Sequence, residues 1–375
     1  MGSVKDLEIQ AHAFENLGGT GEFIFSDDFS IFDWGKMPDQ IPGKGAALAV
    51  MAAWNFEQLE KIGVPTHYMG LVLRGDQKTD RIVGFEHLQA AGPSNIMRVE
   101  LSVVYHPIAR RYADIQAETP GTVDHVDYDY AFFEQNRGHI NNYIVPLEII
   151  FRNGLPLGSS VFKRIAEAKK HPDGKVRLAK LENIYRKLGL NSEPKPGDML
   201  PKPILGYTTK FEEGDRHLTE DEAYQVSGLT EEQFAQVEPL ALRVNDMITA
   251  RAEKTGLAPH WDGKVEMRFR DGQLGIADVL GTLDENRFGT LVSKEILRQW
   301  YIENDPEFVA ACNEFKSTGP GWQERSGVFP EPLPLTIVQL VGQMYQAATN
   351  QYVGEKIFSV PELETVVDRL QAYGK

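Results

Sequence analysis

The chain has 375 residues, of which 42% are hydrophobic and 25% are charged, and its formal net charge is -15. This length exceeds what one compact core usually supports, so we expect two or three domains or lobes. The negative charge argues against nucleic acid or an anionic membrane as the main partner, because both bind clustered lysine and arginine.

Cysteine content and hydropathy restrict the setting in which the chain works. Cys312 is the only cysteine, which excludes an intramolecular disulfide and a structural thiolate zinc site. No stretch approaches the roughly 20 apolar residues of a membrane span, and the start MGSVKDLEI lacks the pattern of a signal peptide. We therefore expect a reducing, cytoplasmic location and no membrane partner.

The first third of the chain combines strand patterns with a possible anion site. A strand beginning at Glu22 runs into a polar loop, and Ile41-Pro-Gly-Lys-Gly45 precedes a helical pattern from Ala46 to Lys61. Backbone N–H groups at such a helix start can hold an anion, although a plain loop before a helix fits equally well. Further strands are predicted over 68–74, 97–105 and 144–152, with a loop or helical insertion over 114–142.

Two polar features follow the strand that ends near Arg152. Glu148 and Arg152 are four residues apart on a predicted strand and so point to one face, where they could form either a ligand site or a buried ion pair. The Gly158-Ser-Ser160 loop offers hydroxyl and N–H groups to phosphate oxygens. The basic segment after it is helical over 166–188, with a break at His171-Pro-Asp-Gly174.

The rest of the chain alternates between extended and helical patterns. An extended segment covers 201–210, and Thr219 and Thr230 each open a helix, the second of which reaches about Thr255. Helices broken at Asp305-Pro306 and by a proline-rich linker fill the C-terminal part. Their apolar faces suit packing or a homo-oligomer contact.

A predicted hairpin at 264–280 could bring two carboxylates together. Its strands are joined at Asp271-Gly272. A two-residue loop would put Glu266 and Asp278 on opposite faces, whereas a three-residue loop would set them directly across from each other. Facing carboxylates repel unless a cation lies between them, and oxygen ligands suit Mg²⁺ carrying nucleotide phosphates. The alternative is a solvated hairpin face.

Seven motifs, in this order, resemble those of the SAICAR synthetase family. They are Gly2-Ser-Val-Lys-Asp6, Ser26-Asp-Asp-Phe-Ser-Ile-Phe-Asp33, Ile41-Pro-Gly-Lys-Gly45, Pro146 to Arg152 with Gly158-Ser159, Leu200-Pro-Lys-Pro-Ile204 with Thr209-Lys210 and Glu213-Gly-Asp215, Lys264-Val-Glu266 with Asp278, and Asp284 to Arg287. The resemblance implies an α+β, ATP-grasp-related two-lobe fold with antiparallel sheets and extra C-terminal helices. We divide the chain into an N-terminal lobe (1–105), an insertion (106–142), an ATP-grasp-like lobe (143–290) and a helical extension (291–375).

The resemblance also implies a reaction. Members of this family join the amine of L-aspartate to the carboxylate of carboxyaminoimidazole ribonucleotide (CAIR), giving SAICAR, ADP and phosphate in purine biosynthesis. ATP with Mg²⁺ turns the unreactive carboxylate into an acyl phosphate, which a neutral amine can attack.

The site residues that the resemblance implies fall into three groups. Lys210, Asp278 and Arg287 would be catalytic. Lys5, Glu148, Glu266 and Asp278 would bind ATP, with Glu266 and Asp278 holding Mg²⁺. The small-molecule substrates would be bound by Ser26, Asp27, Ser30, Asp33, Lys44, Arg152, Ser159, Lys210, Glu213, Asp215 and Arg287, among which Arg152 and Ser159 would hold the ribose 5′-phosphate.

Four departures from the family pattern concern the substrate. Asp28 stands where arginine is common, Val279 replaces a glutamate, and the intervals from Arg152 to Ser159 and from Asp278 to Arg287 are longer than usual. They motivate an alternative, a related ligase for a different carboxylate or amino acid in specialised nucleoside metabolism. An ATP-dependent kinase of the same fold and a nucleotide-binding regulatory module are further alternatives.

Overall fold

A computed structural model describes residues 4–75, 80–112, 125–289, 292–319 and 321–373. The first sheet is antiparallel, with strand order β1-β2-β5-β3-β4. Its strands are β1 (Lys5–Ala11), β2 (Gly19–Phe25), β3 (Tyr68–Leu73), β4 (Arg81–Val83) and β5 (Ile96–Leu101). Helix α1 (Lys44–Lys61), rich in alanine, leucine and methionine, packs against β2, β3 and β5, and α2 (Leu88–Ala91) is a single turn.

The second sheet has the order β10-β9-β8-β11-β12, with β13 pairing β11. Its strands are β8 (Tyr143–Gly154), β9 (Met199–Thr209), β10 (His217–Leu218), β11 (His260–Arg270), β12 (Gln273–Ala277) and β13 (Asn286–Phe288). One face carries apolar residues such as Ile149 and Val265, which are paired across β8 and β11 and buried. Helices α6 (Glu220–Ser227) and α8 (Val237–Lys254) pack against this sheet.

The opposite face of the second sheet is polar because side chains alternate along a strand. Glu266 lies across from Glu148, and Asp262 lies across from Arg152. This face carries the motif residues of β8 and β11, so the alternation of the strands explains why those residues share one side of the sheet.

Short elements complete the two sheets. In the predicted insertion, β6 (Ile108–Tyr112) pairs with β7 (His125–Asp129) and α3 (Ala131–Gln135) follows, while 113–124 lie outside the described residues. Helices α4 (Ser160–Lys169) and α5 (Gly174–Lys187) build a small separate core with Leu155, Leu188 and Leu200. The Asp173 carboxylate accepts from the backbone N–H of Lys175 at 2.8 Å, which caps α5 at the predicted break.

Two capping boxes shape the segment before β11. Thr219 with Glu222 opens α6, and Thr230 with Gln233 opens the short α7 (Glu231–Phe234). The helix predicted from Thr230 to about Thr255 is interrupted, since α7 ends before α8 begins, with Pro239 in the first turn of α8.

The described C-terminal part is helical. Its helices are α9 (Glu295–Asn304), α10 (Pro306–Phe315), α11 (Trp322–Ser326), α12 (Leu335–Val353) and α13 (Leu363–Tyr373). Helix α12 packs against α1 and α13. The α+β class with antiparallel sheets is confirmed. Across the described ranges, we find no helix with both the length and the apolar character needed to cross a membrane.

Candidate active site

Two cavities contact the polar face of the second sheet. The first, which we call the apolar cavity, has a volume of about 340 Å³ and is lined by residues of both sheets, among them Leu7, Phe23, Leu101, Val104, Lys210, Glu266 and Asp278. The second, the polar cavity, has a volume of about 590 Å³, and its lining includes Glu148, Arg152, Asp215, Lys264, Arg287 and Arg298. An apolar cavity and a charged cavity therefore share one sheet.

The hairpin has a two-residue turn, not the three-residue loop that would set the carboxylates directly across from each other. Arg270 pairs with Gln273, and the two-residue turn has φ values of 50° at Asp271 and 78° at Gly272. Glu266 consequently lies opposite Ala277. Asp278 follows the end of β12 with a left-handed φ of 63°, and it lines the same cavity as Glu266. The two carboxylates thus meet because Asp278 leaves the strand.

His67 fixes the backbone at Asp278, and sequence patterns did not single it out. Its Nε2 lies 2.9 Å from the Asp278 carbonyl oxygen, to which it can only donate. Burial, aided by Arg268, lowers the pKa of His67 from 6.5 to about 4, so the ring is neutral near pH 7. The backbone N–H of His67 also donates to the carbonyl of Ile276, which attaches the first sheet to the hairpin.

Two lysines neutralise the carboxylates of the apolar cavity. Lys5 Nζ lies 2.5 Å from Asp278 Oδ1, and Lys210 forms an ion pair with Glu266 Oε2. Burial and the neighbouring Asp278 raise the pKa of Glu266. Burial alone would raise the pKa of Asp278 as well, but Lys5 and Lys210 lower it below its usual range. Asp278 therefore holds its charge more firmly than Glu266.

The predicted phosphate residues are hydrogen-bonded to each other beside the polar cavity, which Arg152 and Ser160 line, whereas the buried Ser159 is not among the described lining residues. Arg152 Nη1 donates to Ser159 Oγ at 2.6 Å, and Nη2 donates to Ser160 Oγ at 3.4 Å. Burial lowers the pKa of Arg152. Glu148 does not pair with Arg152. Its Oε1 lies 2.6 Å from Lys264 Nζ instead.

Arg287 is oriented by a neighbouring strand. Its Nε and Nη2 donate to the two Asp262 carboxylate oxygens at 2.7 and 2.5 Å. Burial alone would lower the pKa of Arg287, but the paired hydrogen bonds to Asp262 raise it above its usual value. The two-pronged contact holds the guanidinium at the polar cavity with one defined orientation.

Two of the residues predicted to bind substrate serve the fold. The Asp27 carboxylate accepts from the backbone N–H groups of Gly43 at 3.0 Å and Gly45 at 2.9 Å, so the anion at the start of α1 is the chain's own. Lys44 is fully buried, and its Nζ lies 2.7 Å from Asp284 Oδ2. We therefore revise both predictions, because neither side chain lines either cavity in the described part of the chain.

Four other residues predicted to bind substrate, Ser26, Ser30, Asp33 and Glu213, are not among the described residues that line the two cavities. Ser26 Oγ accepts from the backbone N–H of Asp28 at 3.3 Å, and the exposed Asp33 pairs with Lys316 at 3.3 Å. Neither these two nor the half-buried Ser30 is among the described residues that line the two cavities. Glu213 donates its backbone N–H to Tyr128 Oη at 2.8 Å.

Asp215 does line the polar cavity. Burial and the nearby Glu148 raise the pKa of its carboxyl group. The stretch from Lys210 to Asp215, between β9 and β10, therefore supplies a side chain to each cavity.

Sequence analysis missed a wall of the polar cavity that is built from the start of α9. Lys294, Glu295 and Arg298 line it, and Arg298 Nη1 lies 3.0 Å from Glu295 Oε2. The sequence predicts only packing or oligomer contacts for this region. The one available signal was the cluster of charges at Lys294, Glu295 and Arg298.

The departures at Asp28 and Val279 lie outside the described linings of the two cavities. Asp28 is buried and contacts Lys36 at 2.7 Å and Gln40 at 3.0 Å. Val279 belongs to the hydrophobic core. Neither residue is among the described residues lining the cavities, so these substitutions give little support to a different substrate.

Comparison with known proteins agrees with this arrangement. The SAICAR synthetase family profile matches residues 14–312. A protein of Archaeoglobus fulgidus, provisionally named phosphoribosylaminoimidazole-succinocarboxamide synthase, is 36% identical over 375 residues and covers 99% of both chains. The phosphoribosylaminoimidazole-succinocarboxamide synthase of Thermoplasma acidophilum is 27% identical, over 90% of this chain and 95% of the other.

The fold has a relative among solved structures. The SAICAR synthase of Saccharomyces cerevisiae complexed with SAICAR aligns with a TM-score of 0.57 and 19% identity, over 96% of this chain and 95% of that chain. The profile match and the relative that is 36% identical show that the chain belongs to the SAICAR synthetase family, whose members are ligases that form a carbon–nitrogen bond in purine biosynthesis.

Proposed function

We propose that this chain joins L-aspartate to CAIR in an ATP-dependent reaction that passes through an acyl phosphate. The single observation that carries the proposal is the meeting of Glu266, Asp278, Lys5 and Lys210 beside the apolar cavity, with the polar cavity on the same sheet. ATP in the apolar cavity and a carboxylate substrate in the polar cavity would therefore meet at these four charged side chains.

The apolar cavity suits the adenine of ATP. Its walls include Leu7, Phe23, Leu101 and Val104, which offer apolar contact to a flat ring. The buried Ser102 hydroxyl also lines this cavity and has no hydrogen-bond partner among the described residues. It is suited to a polar edge of the base.

The carboxylates of Glu266 and Asp278 fit a magnesium ion. Both are hard oxygen donors that face one cavity, and burial together with the neighbouring Asp278 raises the pKa of Glu266, an unfavourable effect on its charged form that a divalent cation would offset. Magnesium bound there would neutralise charge on the ATP phosphates during transfer. Lys5 and Lys210, already at the carboxylates, would contact phosphate oxygens as point charges.

The polar cavity suits the phosphorylated imidazole nucleotide. Arg152 with Ser159 would bind the 5′-phosphate, and the fixed guanidinium of Arg287 would bind a second anionic group. Lys264 lines the polar cavity and is paired with Glu148 at 2.6 Å and Glu285 at 3.4 Å. It would contact the substrate carboxylate as it approaches ATP.

The chemistry then proceeds in two balanced steps. A carboxylate oxygen of CAIR takes the γ-phosphoryl group of ATP, which releases ADP and leaves an acyl phosphate. The neutral amine of aspartate attacks the acyl carbon, phosphate departs with the bonding electrons, and the nitrogen loses a proton to give the amide.

Product analysis with purified protein tests the proposal. With ATP, Mg²⁺, CAIR and L-aspartate, we expect ADP, phosphate and SAICAR in equal amounts, with ADP formation dependent on aspartate. ADP formation without an amine would indicate a kinase. Turnover only with another amino acid or another carboxylate would contradict the assigned substrates.

A further inference from the structure

The segment 278–285, between β12 and β13, connects the two cavities, and we call it the connecting loop. Its first residue, Asp278, lines the apolar cavity, and Asp284 and Glu285 line the polar cavity. Arg287 follows shortly after it on β13. The position of this loop therefore determines where side chains of both cavities lie.

One buried contact holds the middle of the connecting loop. Asn55 of α1 donates through Nδ2 to the carbonyl oxygens of Leu280 at 3.3 Å and Gly281 at 3.4 Å. Tyr352 of α12 donates to Asn55 Oδ1 at 2.8 Å. A Cβ atom at Gly281 would lie 2.4 Å from Asn55 Nδ2, so only glycine permits this approach. Tyr352 thereby orients the amide that holds the loop.

A second buried contact holds the end of the loop. Asp284 Oδ2 lies 2.7 Å from Lys44 Nζ, and Asp284 Oδ1 accepts from the Tyr345 hydroxyl at 2.7 Å. Lys44 and Tyr345 are fully buried. A buried ion pair needs its remaining lone pairs satisfied, and Tyr345 supplies that hydrogen bond to the carboxylate.

Both tyrosines come from one face of α12, since they are seven residues or about two turns apart. The helix lies close to the start of α1, because a Cβ at Gly342 would be 2.6 Å from the Pro42 carbonyl oxygen. Thr349 also donates to the Ala47 carbonyl at 3.3 Å. Helix α12 is thus placed against α1, and it reaches the connecting loop directly through Tyr345 and by way of Asn55 of α1 through Tyr352.

We propose that α12, which lies beyond the 14–312 segment matched by the family profile, is a positioning element of the ligase, and that the Tyr345 and Tyr352 hydroxyls hold the connecting loop in its productive position. Neither tyrosine is among the described residues lining a cavity, so both act through Asp284 and Asn55. The kinetic part of this inference rests on the proposed function.

A purely structural role would make a different prediction, and the chain offers a matched control. Tyr301 is also fully buried, and its hydroxyl donates to the Glu331 carbonyl oxygen at 2.8 Å, away from the connecting loop. Tyr301→Phe therefore removes a comparable hydrogen bond. If the α12 hydroxyls only stabilise the fold, Tyr345→Phe, Tyr352→Phe and Tyr301→Phe should behave alike.

The first test compares steady-state kinetics and melting temperatures of these three variants. We expect kcat to fall about tenfold in Tyr345→Phe and Tyr352→Phe, and to stay within twofold of the unmodified protein in Tyr301→Phe at a similar loss of melting temperature. The double variant Tyr345→Phe/Tyr352→Phe should lose less than the product of the single losses, because both act on one loop. A kcat within twofold of Tyr301→Phe in either single variant would overturn the proposal.

The second test is amide hydrogen exchange, which needs no turnover and so separates this proposal from the proposed function. We expect faster exchange over 279–287 in Tyr345→Phe than in Tyr301→Phe, with unchanged exchange in α5. Equal rates in that segment would refute the positioning role even if the protein were inactive. Should Tyr345→Phe not fold, Tyr352→Phe, which leaves the Lys44–Asp284 pair intact, provides both readouts.

Discussion

At the residue scale, Asp278 carries the largest share of the proposed chemistry. Its backbone is left-handed, and its Oδ1 lies 2.5 Å from Lys5 Nζ. Burial alone would raise its pKa, but Lys5 and Lys210 lower it, so the carboxylate stays charged. Aspartate tolerates a left-handed φ better than most residues. A carboxylate at this position can therefore leave the strand and face the cavity that Glu266 lines.

Asp278→Asn should lower kcat by several orders of magnitude, because the amide cannot replace a charged metal ligand. Steady-state kinetics at saturating substrate would measure this loss. Asp271→Asn is the matched control, since Asp271 lies in the exposed turn of the same hairpin and asparagine suits its φ of 50°. A loss smaller than about tenfold, roughly 1.4 kcal/mol, would remove Asp278 from the metal site.

Arg152→Ala should raise the KM for the phosphorylated imidazole substrate and leave the KM for ATP nearly unchanged. The physical reason is the loss of a guanidinium that is aligned by Ser159 at the polar cavity. Arg177→Ala, on the exposed face of α5, controls for the loss of one surface charge. Equal effects on both substrates would be inconsistent with a dedicated phosphate contact.

At the element scale, strand periodicity predicted the polar face of β8 and β11 but not how the hairpin ends. Alternation placed Glu148 and Arg152 on one face of their strand, and it placed Glu266 and Asp278 on opposite faces of the hairpin for a two-residue turn. The left-handed backbone at Asp278, supported by His67 from the first sheet, reverses that placement. Such a long-range contact leaves no local pattern in the sequence.

Other elements show the same division between local and long-range information. The capping residues Thr219 and Thr230 predicted helix starts because their hydrogen bonds are local. Lys44 in Ile41-Pro-Gly-Lys-Gly45 could not be predicted to pair with Asp284, since the pair depends on how α1 packs. The role of α9 in the polar cavity was missed for the same reason.

Gly281→Ala should destabilise the fold more than Gly63→Ala. Both glycines have a left-handed φ, 67° and 79°, so the backbone strain is similar. A Cβ at Gly281 would lie 2.4 Å from Asn55 Nδ2, whereas a Cβ at Gly63 would meet nothing within 4 Å. Chemical denaturation should show an extra loss of about 1–3 kcal/mol in the free energy of unfolding. Equal losses would mean that Asn55 does not hold the loop closely.

At the scale of the whole molecule, the first sheet, the second sheet and the C-terminal helices share one continuous hydrophobic core. Arg268 of the second sheet pairs with Glu100 of the first at 2.6 Å and also donates to the Thr66 carbonyl at 2.6 Å. Sequence analysis did not predict that α12 would contact α1.

Two buried histidines should make global stability depend on pH. Burial lowers the pKa of His67 and of His260 from 6.5 to about 4, so the unfolded chain binds more protons between these values. The stabilisation is fully present above pH 6.5 and is lost as the pH falls towards 4, by at most about 1.4 kcal/mol per pH unit for each histidine.

Denaturation curves between pH 4 and pH 7 would measure this dependence. His67→Gln should make the slope of unfolding free energy against pH shallower. The same change at the exposed His139 controls for the general loss of a histidine. An unchanged slope in His67→Gln would show that His67 is not held neutral by burial.

The central claim is that Glu266 and Asp278 hold a metal ion on ATP while the polar cavity holds the second nucleotide. A crystal structure with ADP, Mg²⁺ and CAIR tests it most directly. We expect adenine against Leu7 and Leu101, Mg²⁺ bound by both carboxylates, and the 5′-phosphate at Arg152. Nucleotide bound elsewhere, or Mg²⁺ held without Asp278, would contradict this account.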